Sequence, residues 1–234
     1  MNQNKQKIKQ AVFDFIGHHP DIVQIIIDLI DRQPELGVVV PDILKAYLKL
    51  IKCFDQGHTL FICGNGGSFA DSLHISSELL KSFKRKRALS EKDKKTFEHL
   101  PYGKEIGSAL EYGFPVIVLG LNHSFSSALE NDNPTPYIGF AQELYTLAKK
   151  DDLFMGISTG GNAQNVLYAV TVAKANGLTT IGLTGENSGE LTKSVDIAIK
   201  VPGKTTAKIQ ELHLPVYHTI CAIVEAHYFK EKRD

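Results

Sequence analysis

His74 and Glu78 stand four residues apart in a stretch with helical periodicity, so both project from one helix face. An imidazole and a carboxylate on one face can hold a divalent metal or pass a proton. Just upstream the chain reads Gly64-Asn65-Gly66-Gly67-Ser68, preceded by a short apolar, β-leaning run over 59–63. The order is strand, glycine-rich turn, helix. Glycines admit positive φ and close backbone approach. A helix N-terminus offers N–H groups and the positive end of its dipole to an anion. Together these features point to a phosphorylated substrate with metal-binding or catalytic groups beside it. The turn is not the dinucleotide fingerprint, which needs a third glycine, and no Gly-Lys-Ser/Thr makes it a Walker A loop. Taken alone, it also fits a plain strand-to-helix turn, and the His/Glu pair also fits a solvated contact.

A second turn of the same chemistry, Ser158-Thr159-Gly160-Gly161-Asn162, follows an apolar run over 152–157. A long final helix over 206–230 carries Gln210, His213 and His218. At about 100° per residue Gln210 and His218 differ by about 80° and face one cleft, while His213 lies about 140° from His218 and points elsewhere. Alone, these three also fit polar positions on a partly exposed helix.

The elements that must position these residues read as follows. Residues 6–33 form one or two amphipathic helices, with Ile8, Val12, Phe15 and Ile16 on one apolar face. Ile22, Val23, Ile26, Ile27 and Ile30 make another face, and Gly17 and Pro20 punctuate the stretch. A further helix starts at Pro41-Asp42, with Asp42 as N-cap, and ends near Gly57. These helices need the sheet or another subunit to cover them. Strands are expected at 59–63, 115–119, 152–157, 179–183 and 195–201. In the helix after the first turn Leu73, Ile75, Leu79 and Leu80 face a core. Helices follow at 138–149 and 166–176, and Pro215 is a kink point in the last one. The stretch 120–136 reads as a polar loop and 185–189 as a turn. An excursion spans about 82–112 and opens on Lys84-Arg85-Lys86-Arg87. It reads as solvated rather than as a nucleic-acid patch, because Glu91, Asp93, Glu98 and Glu105 dilute its charge. Alternating strands and helices make an α/β fold, a parallel sheet covered on both faces. Ligands of such sheets bind beyond the strands' carboxyl ends, where both hydroxyl and glycine turns lie.

The chain has 234 residues, 43% hydrophobic and 22% charged, which fits a single globular domain over 1–234 with N-terminal helices at about 1–57. Its 26 basic residues balance 26 acidic ones, so no net field attracts nucleic acid or a membrane. No apolar run is long enough to span a bilayer, and the first residues lead into no signal-peptide core, which predicts a cytoplasmic protein. Cys53, Cys63 and Cys221 lack metal-ligand spacing and are expected to be reduced and buried.

One further pattern joins the motifs. Gly64-Asn65-Gly66-Gly67-Ser68, Asp71, His74 and Glu78-Leu79 are followed by Asn131-Asp132, by Gly156-Ile157-Ser158-Thr159 with Gly161-Asn162, and by Ile209-Gln210-Glu211 with His213 and His218. In this order they resemble the phosphoheptose isomerases, which act on sedoheptulose 7-phosphate within the sugar-isomerase (SIS) domain family. The resemblance covers about residues 40–230, apart from the excursion. It implies a three-layer α/β sandwich with a five-stranded, mostly parallel sheet, in a homotetramer with sites between subunits. It implies one zinc ion per subunit on residues matching His74, Glu78, Gln210 and His218. It implies aldose–ketose isomerisation of a sugar phosphate through an enediol, with Glu78 as base and His218 as acid/base partner. Ser68, Ser158, Thr159 and the backbone of Gly66, Gly67 and Gly160 are expected at the phosphate. Asn65, Asn131, Asp132, Asn162 and Gln210 are expected at the rest of the substrate. The chain departs from the family at Gly160 and Ala163, where serines are usual, and at Lys208, where arginine is usual. A non-catalytic sugar-phosphate sensor or protein-binding scaffold is the alternative on the same fold.

Overall fold

The computed structural model describes residues 10, 12–17, 19–187 and 189–230, so Ile8 lies outside the described residues. Residues 12–16 are helical and Gly17 ends them at φ +75°. Helix α1 (Pro20–Arg32) starts on Pro20, whose missing N–H is harmless there, and buries Ile22, Ile26, Ile27 and Leu29. A 3-10 turn (Pro34–Val39), which periodicity alone does not reveal, runs straight into α2 (Val40–Asp55). Asp42 is therefore not the N-cap. It lies inside the helix and pairs with Lys45 at 2.9 Å.

Strand β1 (Leu60–Gly64) leads into α3 (Gly67–Leu80). Then come the short helices α4 (Glu91–Lys95) and α5 (Gly103–Ala109), followed by β2 (Val116–Val118). The stretch expected to be a loop holds α6 (His123–Asp132), capped by the Asn122 side chain, which accepts from Phe125 N–H. After α7 (Gly139–Leu147) come β3 (Leu153–Ile157), α8 (Gln164–Ala175) and β4 (Thr179–Gly185). The remaining elements are the short α9 (Glu190–Ser194), β5 (Ile197–Val201) and α10 (Thr206–Tyr228). Helix α10 continues through Pro215, and Thr219 Oγ1 donates to the Pro215 carbonyl at 2.8 Å.

All five strands are parallel, in the order β2-β1-β3-β4-β5. Successive side chains of a strand take opposite faces. Leu60 and Ile62 accordingly join the apolar cluster that contains residues of α1, α2, α3 and α10, while Phe61 and Cys63 join the one with α7 and α8. The result is three layers, helices on both faces of one sheet. The strand order reverses between β1 and β3, and at that switch point the carboxyl ends of the two strands open a crevice.

Two core expectations change. Leu73 and Leu80 are 39% and 52% exposed, leaving Ile75 and Leu79 to hold α3 against the core. The basic run is not solvated throughout. Arg87 is fully buried and its Nε donates to Glu225 of α10 at 2.7 Å. Its other nitrogens donate to the Leu79 and Glu78 carbonyls that end α3, at 2.7 and 2.9 Å. Glu225 also accepts from the N–H groups of Phe83, Lys84 and Arg85. The excursion therefore begins as a clamp that closes the C-terminal end of α3 against α10.

Candidate active site

Both turns stand at the crevice. Gly66 takes φ +54°, ψ −119°, a conformation that suits a residue without Cβ, and hands the chain to α3. The Asn65 and Asn165 carboxamides donate to one another at 2.8 Å in both directions, tying the first turn to the start of α8. Asn165 was not singled out by sequence, because the pairing joins residues 100 positions apart. Helix α8 starts on Ala163 with no side-chain cap, and a Cβ on Gly160 would meet nothing within 4 Å. Space is thus open beside Gly160, whereas Ala163 is partly buried and packs on the core cluster that holds α7 and α8. Ser68 and Ser158 are nearly buried beside the crevice, and Thr159 is half-buried.

Helices α3 and α10 pack side by side, and their facing side chains bring His74, Glu78 and His218 together. His74 Nε2 lies 3.3 Å from Glu78 Oε1, and His218 Nε2 lies 3.1 Å from the same oxygen. The two Nε2 atoms are 3.4 Å apart. All three donor atoms fall within 4.8 Å of one another, which no other group of three histidine, cysteine or acidic residues does among the described residues. The second carboxylate oxygen, Glu78 Oε2, is buried without a hydrogen-bond partner. Two imidazoles, one carboxylate and an orphaned oxygen suit a zinc ion with an open coordination position.

Burial is the largest influence on Glu78 and raises its pKa, against the lowering effects of the nearby Cys221 thiol, His74 and Lys84. Burial also lowers the pKa of His218, helped by His74, Lys84 and Arg32. Burial thus moves the carboxylate up and the imidazole down, each away from its ordinary value and toward the other. Lys84 and Arg32 line a cavity of about 350 Å³ that reaches His218 and Glu211. Lys84 was legible only as part of a basic run, and Arg32 carried no motif.

The remaining candidates separate. The Gln210 amide packs against Gly67 at the start of α3, where an added Cβ would come within 2.3 Å of it. Asn162 Oδ1 accepts from Glu190 N–H at 3.0 Å, so that carboxamide starts α9. Asn131 and Asp132 are exposed at the end of α6 and bond to each other. They line a different cavity, of about 620 Å³, whose wall holds none of the other candidates. Lys208 turns to Glu35 and Glu211, at 3.6 and 3.9 Å. His213 is fully buried, in keeping with its separate facing.

A parallel sheet with phosphate-type turns at its switch point, flanked by a histidine–carboxylate centre, defines a sugar-isomerase domain protein. The SIS domain description matches residues 136–226. The phosphoheptose isomerase of Roseiflexus sp. (strain RS-1) is 34% identical over 191 residues, 82% of this chain and 84% of that protein. That of Aliarcobacter butzleri (strain RM4018) is 32% identical over 219 residues, 93% and 97% of the two chains. A solved phosphoheptose isomerase from Francisella tularensis superimposes with a TM-score of 0.66 at 25% identity, over 92% of this chain and 97% of that one. The chain belongs to the phosphoheptose isomerase family, and with it to the aldose–ketose isomerases of phosphosugars.

Proposed function

We propose that the protein interconverts an aldose and a ketose form of a heptose phosphate, sedoheptulose 7-phosphate being the first candidate. The relatives' names support the substrate. The observation that carries the mechanism is the buried Glu78 carboxylate held between two imidazole nitrogens at 3.3 and 3.1 Å. Isomerisation moves a proton between adjacent carbons through an enediol and needs a base, an acid/base partner at the oxygens and stabilisation of developing charge. Glu78, its pKa raised by burial, takes the carbon-bound proton and returns it to the neighbouring carbon. His218, its pKa lowered by burial, exchanges protons with the substrate oxygens. Ser68, Ser158, Thr159 and the backbone of Gly66, Gly67 and Gly160 hold the phosphate. Asn65 and Gln210 border that cradle, while Asn131, Asp132 and Asn162 are left for a second subunit or a moved loop to bring in.

His74, Glu78 and His218 are the residues that hold one zinc ion per subunit in this reading, with Gln210 in the family's fourth place. Such an ion supplies Lewis-acid polarisation of the substrate oxygens. We further propose one domain, a homotetramer and a cytoplasmic location. Leu73, Leu80 and Leu214, exposed on the site helices, suit a subunit interface. The three free, buried cysteines suit a reducing compartment. No described helix is long and apolar enough to cross a membrane.

Metal analysis of the purified protein, beside His74→Ala, tests the centre: one zinc per chain in the native protein and none in the variant is expected. Glu78→Gln should keep the fold and lower turnover of sedoheptulose 7-phosphate by at least about 10³-fold, since the base is lost. Retained turnover would overturn the assignment of Glu78. Binding without turnover in the native, zinc-loaded protein would favour a sensor.

A further inference from the structure

The two carboxamides that face each other at the crevice, Asn65 and Asn165, form a closed pair, each donating to the other at 2.8 Å. Asn65 stands in the turn that leads from β1 into α3, and Asn165 in the first turn of α8, which follows β3. Helices α3 and α8 pack on opposite faces of the sheet, so the pair is a bridge across the switch point.

An amide pair by itself reads the same with nitrogen and oxygen exchanged on both residues. A third contact removes that ambiguity. The backbone N–H of Val166 donates to Asn165 Oδ1 at 3.0 Å. A backbone N–H only donates, so the atom it meets must be the oxygen. The Asn65 atom set against that oxygen must then be Nδ2, and Asn65 Oδ1 must take the Asn165 N–H. One backbone donor thus fixes the direction of both side chains, whatever the pH.

A carboxamide has two N–H groups and an oxygen with two lone pairs. Asn165 Oδ1 is full, accepting from Asn65 and from Val166. Left over are one N–H on each residue and one lone pair on Asn65 Oδ1. Two spare donors against one acceptor suit a ligand that presents oxygens, as a phosphate or a sugar hydroxyl does. Asn65 is exposed and Asn165 half-buried, so the spare groups of Asn65 are the ones a ligand reaches first. An exposed asparagine that is already held in one orientation has less rotamer freedom to lose on binding. We propose that Asn165 is a positioning residue, which holds the Asn65 carboxamide in one orientation with an N–H left for a substrate oxygen. This rests on the sugar-phosphate reading and deepens it.

Two measurements on the whole protein test it. Proton–nitrogen NMR of the carboxamides reads the pair, with the Asn65 signals assigned by Asn65→Ala. In the native protein one Asn65 N–H should be shifted downfield, and Asn165→Ala should remove that shift. Kinetics with sedoheptulose 7-phosphate reads the consequence. Asn165→Ala should raise KM about 3–10-fold with kcat unchanged, the effect of one lost hydrogen bond felt in binding. Asn165→Ser is too short to span the pair and should do the same; it serves if the alanine variant does not fold. In an Asn65→Ala background, Asn165→Ala should change KM no further, because it acts through Asn65. A role confined to folding or to helix α8 would instead persist in that background. An unchanged KM in the variants, or an Asn165 effect that survives without Asn65, would overturn the proposal alone. A native protein with paired amides that binds no sugar phosphate would overturn the substrate reading, and the proposal with it.

Discussion

At its N-terminal end α3 meets α10 through glycine and an amide; at its C-terminal end it meets α10 through buried charge. Around Gly64–Ser68 the backbone itself is the surface proposed to hold phosphate. The turn is shaped by Gly66, a side chain at Gly67 would strike Gln210, and Asn65 is held by Asn165. Around Glu78–Arg87 the proposed function lies in titratable side chains, each placed by another polar or charged side chain. Arg87 and Glu225, both fully buried, fasten the excursion to α10, and the Phe83 ring carried by that segment lies 5.6 Å from the ring of His218. The Arg87 guanidinium also stands 5.0 Å from the Phe114 ring. A backbone site tolerates change in distant side chains but not an added Cβ. A charge-built site tolerates changes of shape poorly and loss of a partner worse.

That contrast sets the size of the expected effects. Arg87→Ala strands the Glu225 carboxylate in the core and opens the end of α3, so it should lower unfolding free energy by about 3–5 kcal/mol. A urea-midpoint shift within experimental error would show that Glu225 is satisfied by its three backbone donors alone. At the other end, Gly64→Ala puts a Cβ 2.6 Å from the Ser68 carbonyl oxygen, and the backbone must yield. A loss of about 1–3 kcal/mol is expected there, with a weakened phosphate-dependent KM. A variant as stable as the native protein would show that the first turn adapts.

Ala163→Ser runs in the opposite direction. Ala163 is an uncapped N-cap in extended conformation, so serine should gain about 1 kcal/mol by capping α8. If the new hydroxyl also reaches phosphate, KM falls with kcat unchanged; a melting temperature equal to that of the native protein removes the capping argument. The smallest effect is on pH. Burial, then the charge of His19, lowers the pKa of His227, whose Nδ1 lies 2.8 Å from the Tyr47 hydroxyl. A depressed folded-state pKa means stability present above the ordinary value of 6.5 and lost as pH falls below it. Urea unfolding at two pH values should therefore show a smaller acid-induced loss for His227→Gln than for the native protein. Equal losses would remove His227 from the account.

The centre was half legible in the chain. His74 and Glu78 declare themselves because helix geometry alone brings residues four apart together. His218 was only a helix-facing argument until α10 was seen packed on α3, and no spacing rule reaches across 144 positions. Arg87 shows the limit most sharply. Its neighbours in sequence are basic, so the run reads as solvated; its partner, Glu225, is 138 residues away. The helix over the expected 120–136 loop was recoverable from Asn122, a good cap, but its apolar residues are too few to make a stripe.

What the sequence determined was therefore everything written in local period and local chemistry. That includes alternating strands and helices, hence a parallel sheet, the glycine turns at strand ends, and the His74–Glu78 pair. The tertiary structure decided which elements share a face. It put Gln210 against Gly67 and left Asn131 and Asp132 in a cavity of their own. It buried one arginine of a charged run and placed the Tyr217 phenol against His74. The reason is physical. Hydrogen-bond period and side-chain direction act over a few residues, whereas burial, ion pairing and proton direction depend on whatever the folded chain brings within about 4 Å.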